Sequence, residues 1–276
     1  MRPVATLTDP GGSEVVESLA FSPDGKLLAS GDANGATYLR DVATWRVAGT
    51  LVDPQGGSDG SYGVSSVAFS PGGTTLATGD EDGRTYLWNV ATGRLTATLT
   101  DPGGSIVNSV AFSPGGAILA TGDWNGRTYL WNVATGRLTA TVTDPGRANG
   151  VMSVAFSPAG TVLATGDWDG SAHLWNVVTK RLIATVTDPS PGGDSSSVVN
   201  LVAFDPGGRT LATADASLYI WDIAEERIAT TVTEPGGNEV WSAAFGPDAT
   251  TVVTGGGPGT PGSRASAYVW DAPAEP

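Results

Sequence analysis

The sequence has 276 residues, contains no cysteine and carries a formal net charge of −14. The lack of cysteine excludes disulfides, thiolate metal sites and a cysteine nucleophile. The negative charge argues against nucleic acid and anionic membranes as partners, because both are bound through lysine and arginine. No apolar run reaches the roughly 18 residues that a membrane span needs. The sequence therefore predicts a soluble chain, and it leaves the compartment open with the cytoplasm slightly favoured.

The first predicted element is a strand at residues 2–8, and after it one sequence pattern occurs six times. Each copy opens with a strand in which small and large residues alternate, as they do in a strand packed between neighbouring sheets. The spacing of 41 to 48 residues between copies is typical of a four-stranded propeller blade. The opening strand ends in Ala-Phe, and the phenylalanines that mark the six copies are Phe21, Phe69, Phe112, Phe156, Phe204 and Phe245.

Three further strands are predicted in each copy. A Pro-Asp-Gly or Pro-Gly-Gly turn leads into the second strand, which typically reads Leu-Ala-Thr-Gly. The second strand is followed by a turn that contains Asn-Gly or Asp-Gly, as at residues 80–83, 123–126 and 167–170. These dipeptides are a strong hairpin signal. The third strand ends in tryptophan in five copies, and a further turn leads to an outer fourth strand. The five tryptophans are Trp88, Trp131, Trp175, Trp221 and Trp270, and Arg40 stands in their place in the first copy.

The two ends of the sequence complement each other. The last copy stops after its third strand at Trp270, and residues 2–8 read as an outer strand without a copy of their own. We therefore predict an all-β, six-bladed β-propeller with four antiparallel strands per blade, in which the N-terminal strand completes the last blade and closes the ring. The whole of residues 1–276 is predicted to be one domain. A seventh blade outside this sequence, or one from another chain, stays an alternative.

The copy at residues 107–145 resembles the WD-repeat β-propeller family, in a bacterial form. The resemblance rests on the strand ending in Ala-Phe-Ser-Pro, on Leu-Ala-Thr-Gly before the Asp-containing turn, and on Trp-Asn followed by Ala-Thr-Gly-Arg. Residues 83–98 and 126–141 are the same string, which indicates internal duplication. The resemblance covers essentially the whole sequence and implies a rigid platform for partner binding.

One hallmark of that family, Gly-His ahead of the first strand, is missing. In the family this histidine links a Ser or Thr of the second strand and the tryptophan of the third to the turn aspartate. The resemblance therefore predicts that this network cannot form here, and that direct bonds such as Thr78 with Trp88 and Thr121 with Trp131 replace it. The positions hold an acidic residue before proline instead: Asp9, Asp53, Asp101, Asp144, Asp188 and Glu234.

A second acidic set opens the turn between the second and third strands: Asp32, Asp80, Asp123, Asp167 and Asp215. The propeller topology brings both sets to one face, so we expect an acidic rim there. A simpler interpretation is that each turn aspartate accepts backbone N–H groups of its own turn. Calcium binding is a third interpretation, but the turns lack the alternating spacing of known calcium loops, and no metal site is predicted.

No catalytic constellation is found in the sequence. The single histidine, His173, takes a strand position that holds tyrosine in the other copies, so a structural role is expected. Without a second histidine or any cysteine there is no zinc set and no supported Ser-His-Asp arrangement. The glycines lie in hairpin turns and not before a helix, which excludes a phosphate loop. The sequence predicts neither an enzyme nor a cofactor.

Three tryptophans do not belong to the repeating pattern. Trp124 and Trp168 lie in the turn between the second and third strands, and Trp241 lies near the start of a first strand. The resemblance places these positions on the upper face of the propeller. Aromatic residues exposed on turns are enriched at interaction hot spots, although these indoles could instead pack under neighbouring loops. We therefore predict a partner-binding upper face that includes Trp124, Trp168, Trp241, Met152, Asn108 and Glu81.

The predicted function is that of a non-enzymatic, monomeric scaffold that binds a protein or peptide of neutral or basic character. Similar bacterial propellers occur as modules attached to kinases or NTPases. The main alternative is a carbohydrate-binding or glycosidase-like propeller in which aromatic residues stack on sugars among carboxylates. A third alternative is an orphan or engineered scaffold without a partner.

Overall fold

The computed structural model describes residues 6–8, 10–11, 15–54, 62–145, 150–189, 198–235, 239–257 and 266–271. Antiparallel strands are the regular secondary structure throughout this part of the chain. No helix of the length and hydrophobicity that a membrane crossing requires occurs in the same residues. The chain divides into two compact units, residues 1–124 with 129–141 and residues 125–128 with 142–276.

The first unit contains three four-stranded sheets, which we call blades 1 to 3. Blade 1 consists of β1 Val16–Phe21, β2 Leu27–Asp32, β3 Ala36–Asp41 and β4 Val47–Val52. Blade 2 consists of β5 Val64–Phe69, β6 Thr75–Asp80, β7 Arg84–Asn89 and β8 Arg94–Thr100. Blade 3 consists of β9 Val107–Phe112, β10 Ile118–Asp123, β11 Arg127–Asn132 and β12 Arg137–Thr143.

The second unit contains blades 4 to 6. Blade 4 consists of β13 Val151–Phe156, β14 Val162–Asp167, β15 Ser171–Asn176 and β16 Leu182–Thr187. Blade 5 consists of β17 Leu201–Phe204, β18 Thr210–Ala214, β19 Leu218–Asp222 and β20 Arg227–Val232. Blade 6 has three strands in the described residues: β21 Glu239–Phe245, β22 Thr251–Gly257 and β23 Ser266–Asp271.

The predicted fold class is confirmed: the chain is an all-β, six-bladed β-propeller with sequential antiparallel strands in each blade. The N-terminal strand that should complete blade 6 is predicted at residues 2–8; residues 2–5 lie outside the described residues, and residues 6–8 are described but lie in no strand. Of the same segment, Thr8 is described, and its carbonyl accepts a hydrogen bond from the Arg40 guanidinium at 2.6 Å. That all of residues 1–276 form one domain stays a prediction.

Each blade has two ends, and one of them carries every candidate residue. We call upper the end formed by the start of the first strand, the turn between the second and third strands, and the end of the fourth strand. The register fixes this geometry, since Val151 pairs with Asp167 in blade 4 and Ser171 pairs with Thr187. The lower end holds the other two turns.

A β-bulge interrupts the first strand near the upper end in five blades. A bulge adds one residue to one strand only and thereby re-aims its side chain. In blade 6, for example, Val240 pairs with Gly256 and Ser242 pairs with Gly255, so Trp241 is the extra residue. The bulged residues are Glu17, Ser65, Asn108, Met152 and Trp241.

Neighbouring blades within a unit are joined by buried apolar clusters. An aliphatic side chain from the fourth strand of one blade shares such a cluster with the motif tryptophan of the next. The packing role that the repeat predicts for these tryptophans is thus observed, whereas Phe21 is an exception among the phenylalanines because it is 60% exposed. The pairs are Leu51 with Trp88, Leu99 with Trp131, and Val186 with Trp221.

The glycine of Leu-Ala-Thr-Gly permits a close approach between blades. A Cβ atom added to Gly79 of blade 2 would lie 2.7 Å from Val107 Cγ1 of blade 3. A Cβ atom added to Gly166 of blade 4 would lie 2.6 Å from Val199 Cγ1, in the segment that leads into blade 5. Both separations are shorter than van der Waals contact, so a side chain at either position would push the blades apart.

Candidate functional site

The two turn tryptophans are exposed at the upper ends of blades 3 and 4. Trp124 is 43% exposed and Trp168 is 40% exposed. Their backbone N–H groups donate to the carbonyls of Ile106 and Gly150 at 3.0 and 3.1 Å, which ties each turn to the segment before the first strand of its own blade. The backbone of both turns is therefore held in a defined position.

Trp241 reaches the upper end of blade 6 through the β-bulge, and it is 58% exposed. Asn108 and Met152 occupy the same bulged position in blades 3 and 4 and are half-buried. None of the three out-of-pattern indoles is buried under loops among the described residues. Their role in partner binding stays a prediction.

Glu81 lies in the corresponding turn of blade 2 and is exposed. Its Oε2 atom accepts the backbone N–H of Gly63 at 3.2 Å. The carboxylate thus fastens the turn to the start of blade 2, as the backbone bond from the N–H of Glu81 to the carbonyl of Gly63 also does at 3.1 Å. Any contribution of Glu81 to binding would come from a side chain that already has this structural contact.

The expected acidic rim is wrong, although both acidic sets do lie at the upper ends of the blades. Ten of the eleven carboxylates lie in the described residues, and all ten are buried. Asp9 falls outside those residues. The carboxylates point into the blades, where four of them accept a hydrogen bond from a threonine hydroxyl. The buried residues are Asp32, Asp53, Asp80, Asp101, Asp123, Asp144, Asp167, Asp188, Asp215 and Glu234.

Direct Thr–Trp bonds form in blades 2 to 6, as predicted. The indole N–H of Trp131 donates to Thr121 Oγ1 at 3.0 Å, and Trp88 and Thr78 make the same bond at 3.0 Å. Each of these bonds is buried. The further pairs are Trp175 with Thr165, Trp221 with Thr213, and Trp270 with Thr254.

The Thr–Trp bonds are part of a larger network, which was not predicted from the sequence. In blade 3 the hydroxyl of Thr121, which accepts the indole N–H of Trp131, donates its own hydrogen bond to Asp101 Oδ1 at 3.3 Å. The acidic residue before proline thereby takes the position in the network that the family gives to histidine. The sequence carries a signal for this, because acidic residue and threonine recur about 20 residues apart in successive copies. The other pairs are Thr165 with Asp144, Thr213 with Asp188, and Thr254 with Glu234.

Replacing histidine by a carboxylate places two acidic groups close together inside a blade. Burial, together with the charge of Asp123, raises the pKa of Asp101 to about 8. Burial also raises the pKa of Asp188 to about 7, against the lowering effect of its bond from Thr213. These raised pKa values favour protonated, uncharged carboxyl groups at Asp101 and Asp188.

His173 has the structural role that the sequence predicts. It is 3% exposed, and its Nε2 lies 3.1 Å from Asp167 Oδ2 while its Nδ1 lies 2.9 Å from Thr185 Oγ1. Burial lowers the pKa of His173, but the bond to Asp167 and the charge of Asp144 outweigh this and raise it. The imidazolium in turn limits the pKa of Asp144, which burial raises to about 7. The raised pKa favours the protonated imidazole beside the carboxylates of blade 4.

Two groups in the described residues have the spacing of metal ligands. In blade 4 they are Asp144, Asp167 and His173, and at blade 2 they are Asp53, Asp80 and Asp82. In each group one ligand atom per residue lies within 4.8 Å of the others. The repeat places these groups at the same upper-end location in their blades.

The family described as WD domain, G-beta repeat matches residues 1–41, 51–89, 93–132, 136–176 and 184–222. The chain therefore belongs to the WD-repeat family, whose propellers are in general non-enzymatic scaffolds that bind proteins or peptides. Blade 6 lies beyond the last matched residue. No curated protein matches the chain with significant similarity.

Proposed function

We propose that this chain is a non-enzymatic scaffold that binds a neutral or basic protein or peptide through the upper ends of its blades. The observation that carries the proposal is the exposure of Trp124, Trp168 and Trp241 at these ends. The five motif tryptophans pack within and between blades, so the repeat does not require these additional indoles. A large exposed apolar side chain on a surface turn is unfavourable in water unless a partner covers it.

The positions suit recognition. An indole offers a large, rigid contact surface with one N–H donor, and burying it costs little conformational entropy. Trp124 and Trp168 are held by backbone bonds, and Trp241 by a bulge, so the three side chains are preorganised for binding. Asn108 and Met152 at the equivalent bulges add an amide and a flexible thioether to the surfaces of blades 3 and 4.

Charge supports the proposed character of the partner. The net charge of −14 attracts basic partners over several ångströms and raises their association rate at low salt. Because the repeat carboxylates are buried, this attraction arises from the whole molecule and from exposed groups such as Glu81. We expect charge to affect the association rate and the indoles to determine the dissociation rate.

The burial of the carboxylates weighs against the carbohydrate alternative. A sugar site needs acidic oxygens on the surface beside the stacking aromatic rings, and a glycosidase needs a pair of carboxyls that reach the substrate. The described carboxylates that the repeat brings to the upper ends are instead buried, and four of them are bonded to threonines inside the blades. They do not supply such a pair.

The proposal can be tested with a displayed library of random peptides selected on the immobilised chain. We expect the selected peptides to be neutral or basic, and we expect Trp124→Ala, Trp168→Ala or Trp241→Ala to weaken their binding. Loss of a buried tryptophan anchor costs about 2 kcal/mol, which corresponds to roughly a 30-fold rise in Kd. Calorimetric titration of each variant measures this rise.

Val178→Ala is the matched control, because Val178 is an 82% exposed apolar residue at the lower end of blade 4. This substitution should leave peptide affinity unchanged. The thermal transition of all four variants should stay close to that of the parent, since none of the replaced side chains lies in a blade core. Selected peptides that bind the triple tryptophan variant as tightly as the parent would contradict the proposal.

A further inference from the structure

The upper turn of blade 2 holds its carboxylates differently from the same turn elsewhere. In blades 1 and 4 the first aspartate, Asp32 or Asp167, accepts two backbone N–H groups of its own turn on Oδ1 at 2.8 to 3.2 Å. In blade 2 the third residue takes this role, and Asp82 Oδ1 accepts the N–H of Arg84 at 2.9 Å. The side chain of the first aspartate, Asp80, makes no hydrogen bond to the turn.

Asp80 is fully buried, and no N–H or O–H group of the described residues donates to either of its oxygens. Such a carboxylate is strongly unfavourable unless a positive charge or a proton compensates it. Its oxygen approaches those of Asp53 and Asp82, and the three ligand atoms lie within 4.8 Å of one another. The lack of any donor, together with this convergence, indicates that a positively charged species belongs between the three carboxylates.

Blade 4 shows how the same location is filled when the chain supplies a basic side chain. There the equivalents of Asp53 and Asp80 are Asp144 and Asp167, and His173 lies 3.1 Å from Asp167. Blade 2 has a tyrosine in the position of His173, so no protein cation takes that place. The Arg84 guanidinium binds the outer carboxylate, Asp82, and no such group binds Asp80, whose two oxygens have no hydrogen-bond partner in the described residues.

We propose that Asp53, Asp80 and Asp82 bind a divalent cation of the calcium type at the upper end of blade 2. Carboxylate oxygens bind Ca²⁺ at about 2.3–2.6 Å, so two ligands of one ion lie up to about 5 Å apart, in agreement with the observed spacing. Three carboxylates and one guanidinium leave the site with a charge of about −2, which the ion neutralises. The Asp82 side chain is 4% exposed and the Arg84 side chain 34% exposed, so the site lies just beneath the surface.

The competing occupant is a proton shared between Asp53 and Asp80. Both species relieve the repulsion between the two buried carboxylates, but only the ion requires Asp82. This difference allows the two to be separated by experiment. The test does not depend on the proposed partner-binding function, because it uses the ion alone.

The test titrates the full chain, stripped with EDTA and dialysed, with Ca²⁺ in a calorimeter and with Tb³⁺ by luminescence. Tb³⁺ should emit when the protein is excited near 280 nm, because Tyr86, whose hydroxyl donates to Asp82 Oδ2 at 3.3 Å, lies beside the site. We expect one saturable site, displacement of Tb³⁺ by Ca²⁺, and a higher Tm with Ca²⁺ than with EDTA. Absence of saturable binding would overturn the proposal in favour of the shared proton.

Three variants locate the site. Asp80→Asn and Asp82→Asn should each weaken binding by at least about tenfold, since each removes one charged ligand. Asp82→Asn places in blade 2 the residue that blades 1 and 3 carry as Asn34 and Asn125, so it is expected to fold even if Asp80→Asn does not. Asp32→Asn in blade 1 is the matched control and should bind like the parent. Equal affinity in all three variants would show that the ion binds to the general negative charge, and the proposal would be wrong.

Discussion

The upper turns of blades 2 and 4 share the pattern Asp-x-Asp-Gly but use their carboxylates in opposite ways. In blade 4, the Oδ1 atom of Asp167 accepts the backbone N–H groups of the turn, and its Oδ2 atom is hydrogen-bonded to His173. In blade 2, Asp82 holds the turn, and Asp80 points inward without a donor. The neighbouring strand also differs, because blade 4 has a histidine where blade 2 has a tyrosine. A turn motif therefore fixes the backbone, while its neighbours decide what its carboxylates do.

The first prediction tests whether blades 2 and 4, which carry the two turns, pack against the following segment in the same way. Gly79→Ala and Gly166→Ala should each lower the free energy of unfolding by about 3 kcal/mol, because the new methyl group overlaps a valine of the following segment. Denaturant titration measures both values. Gly255→Ala is the control, since nothing lies within 4 Å of its added Cβ, and it should have little effect. Very different costs at Gly79 and Gly166 would mean that the scaffolds are not equivalent.

The second prediction tests the difference between Asp167, which is hydrogen-bonded, and Asp80, which has no donor. Asp167→Asn should cost about 2 kcal/mol, because it removes a charged, buried hydrogen bond to His173. Asp80→Asn, measured in EDTA, should cost nothing or should stabilise the fold, because it removes a buried charge that no donor compensates. Urea unfolding of the two variants side by side gives the comparison. Similar losses in both would contradict the contrast between the blades.

The third prediction concerns pH and uses carboxyls that have no histidine beside them. The pKa of Asp101 is raised to about 8 and that of Asp188 to about 7, mainly by burial. The folded state therefore keeps protons that the unfolded state releases above about pH 4. The free energy of unfolding should be highest near pH 4 to 5 and should fall as the pH rises to 8. The raised pKa of His173 acts in the same direction.

Asp101→Asn isolates one of these contributions. Relative to the parent, the variant should gain up to about 4 kcal/mol between pH 5 and pH 8, because each pH unit between the two pKa values costs the parent about 1.4 kcal/mol and an amide needs no proton to stay neutral. Unfolding in urea at the two pH values provides the measurement. A parent protein that is more stable at pH 8 than at pH 5 would show that the buried carboxyls are charged and otherwise compensated.

The fourth and smallest prediction asks which carboxylate holds each turn. Asp82→Ala should cost about 1 kcal/mol in EDTA, because the N–H of Arg84 loses its acceptor. Asp169→Ala, at the same turn position in blade 4, should change stability by less than about 0.5 kcal/mol, since Asp167 accepts the turn N–H groups there. Chemical denaturation distinguishes the two. A larger loss at Asp169 than at Asp82 would contradict the assignment.

Much of the fold follows from the sequence because the same local strand and turn signals occur in six successive copies. The alternation in the first strand, the Asn-Gly or Asp-Gly turn and the closing tryptophan each predict one part of a hairpin, and their recurrence predicts the blades. The bonds from Trp88 and Trp131 to their threonines could be named in advance, because cross-strand register is regular. The placement of the three additional tryptophans at the upper ends followed in the same way.

The sequence alone determined the number, order and ends of the blades, since these depend on local patterns of period two and on turn residues. Only the tertiary structure decided where the carboxylates point. Asp101 looks like a surface residue before a proline, yet it is buried against Thr121 because the following blade brings a hydroxyl to it. Likewise, the shared turn pattern Asp-x-Asp-Gly does not distinguish Asp80 from Asp167. Their ionisation and bonding depend on Asp53, Asp144 and His173, which are distant in sequence and which packing alone brings into contact.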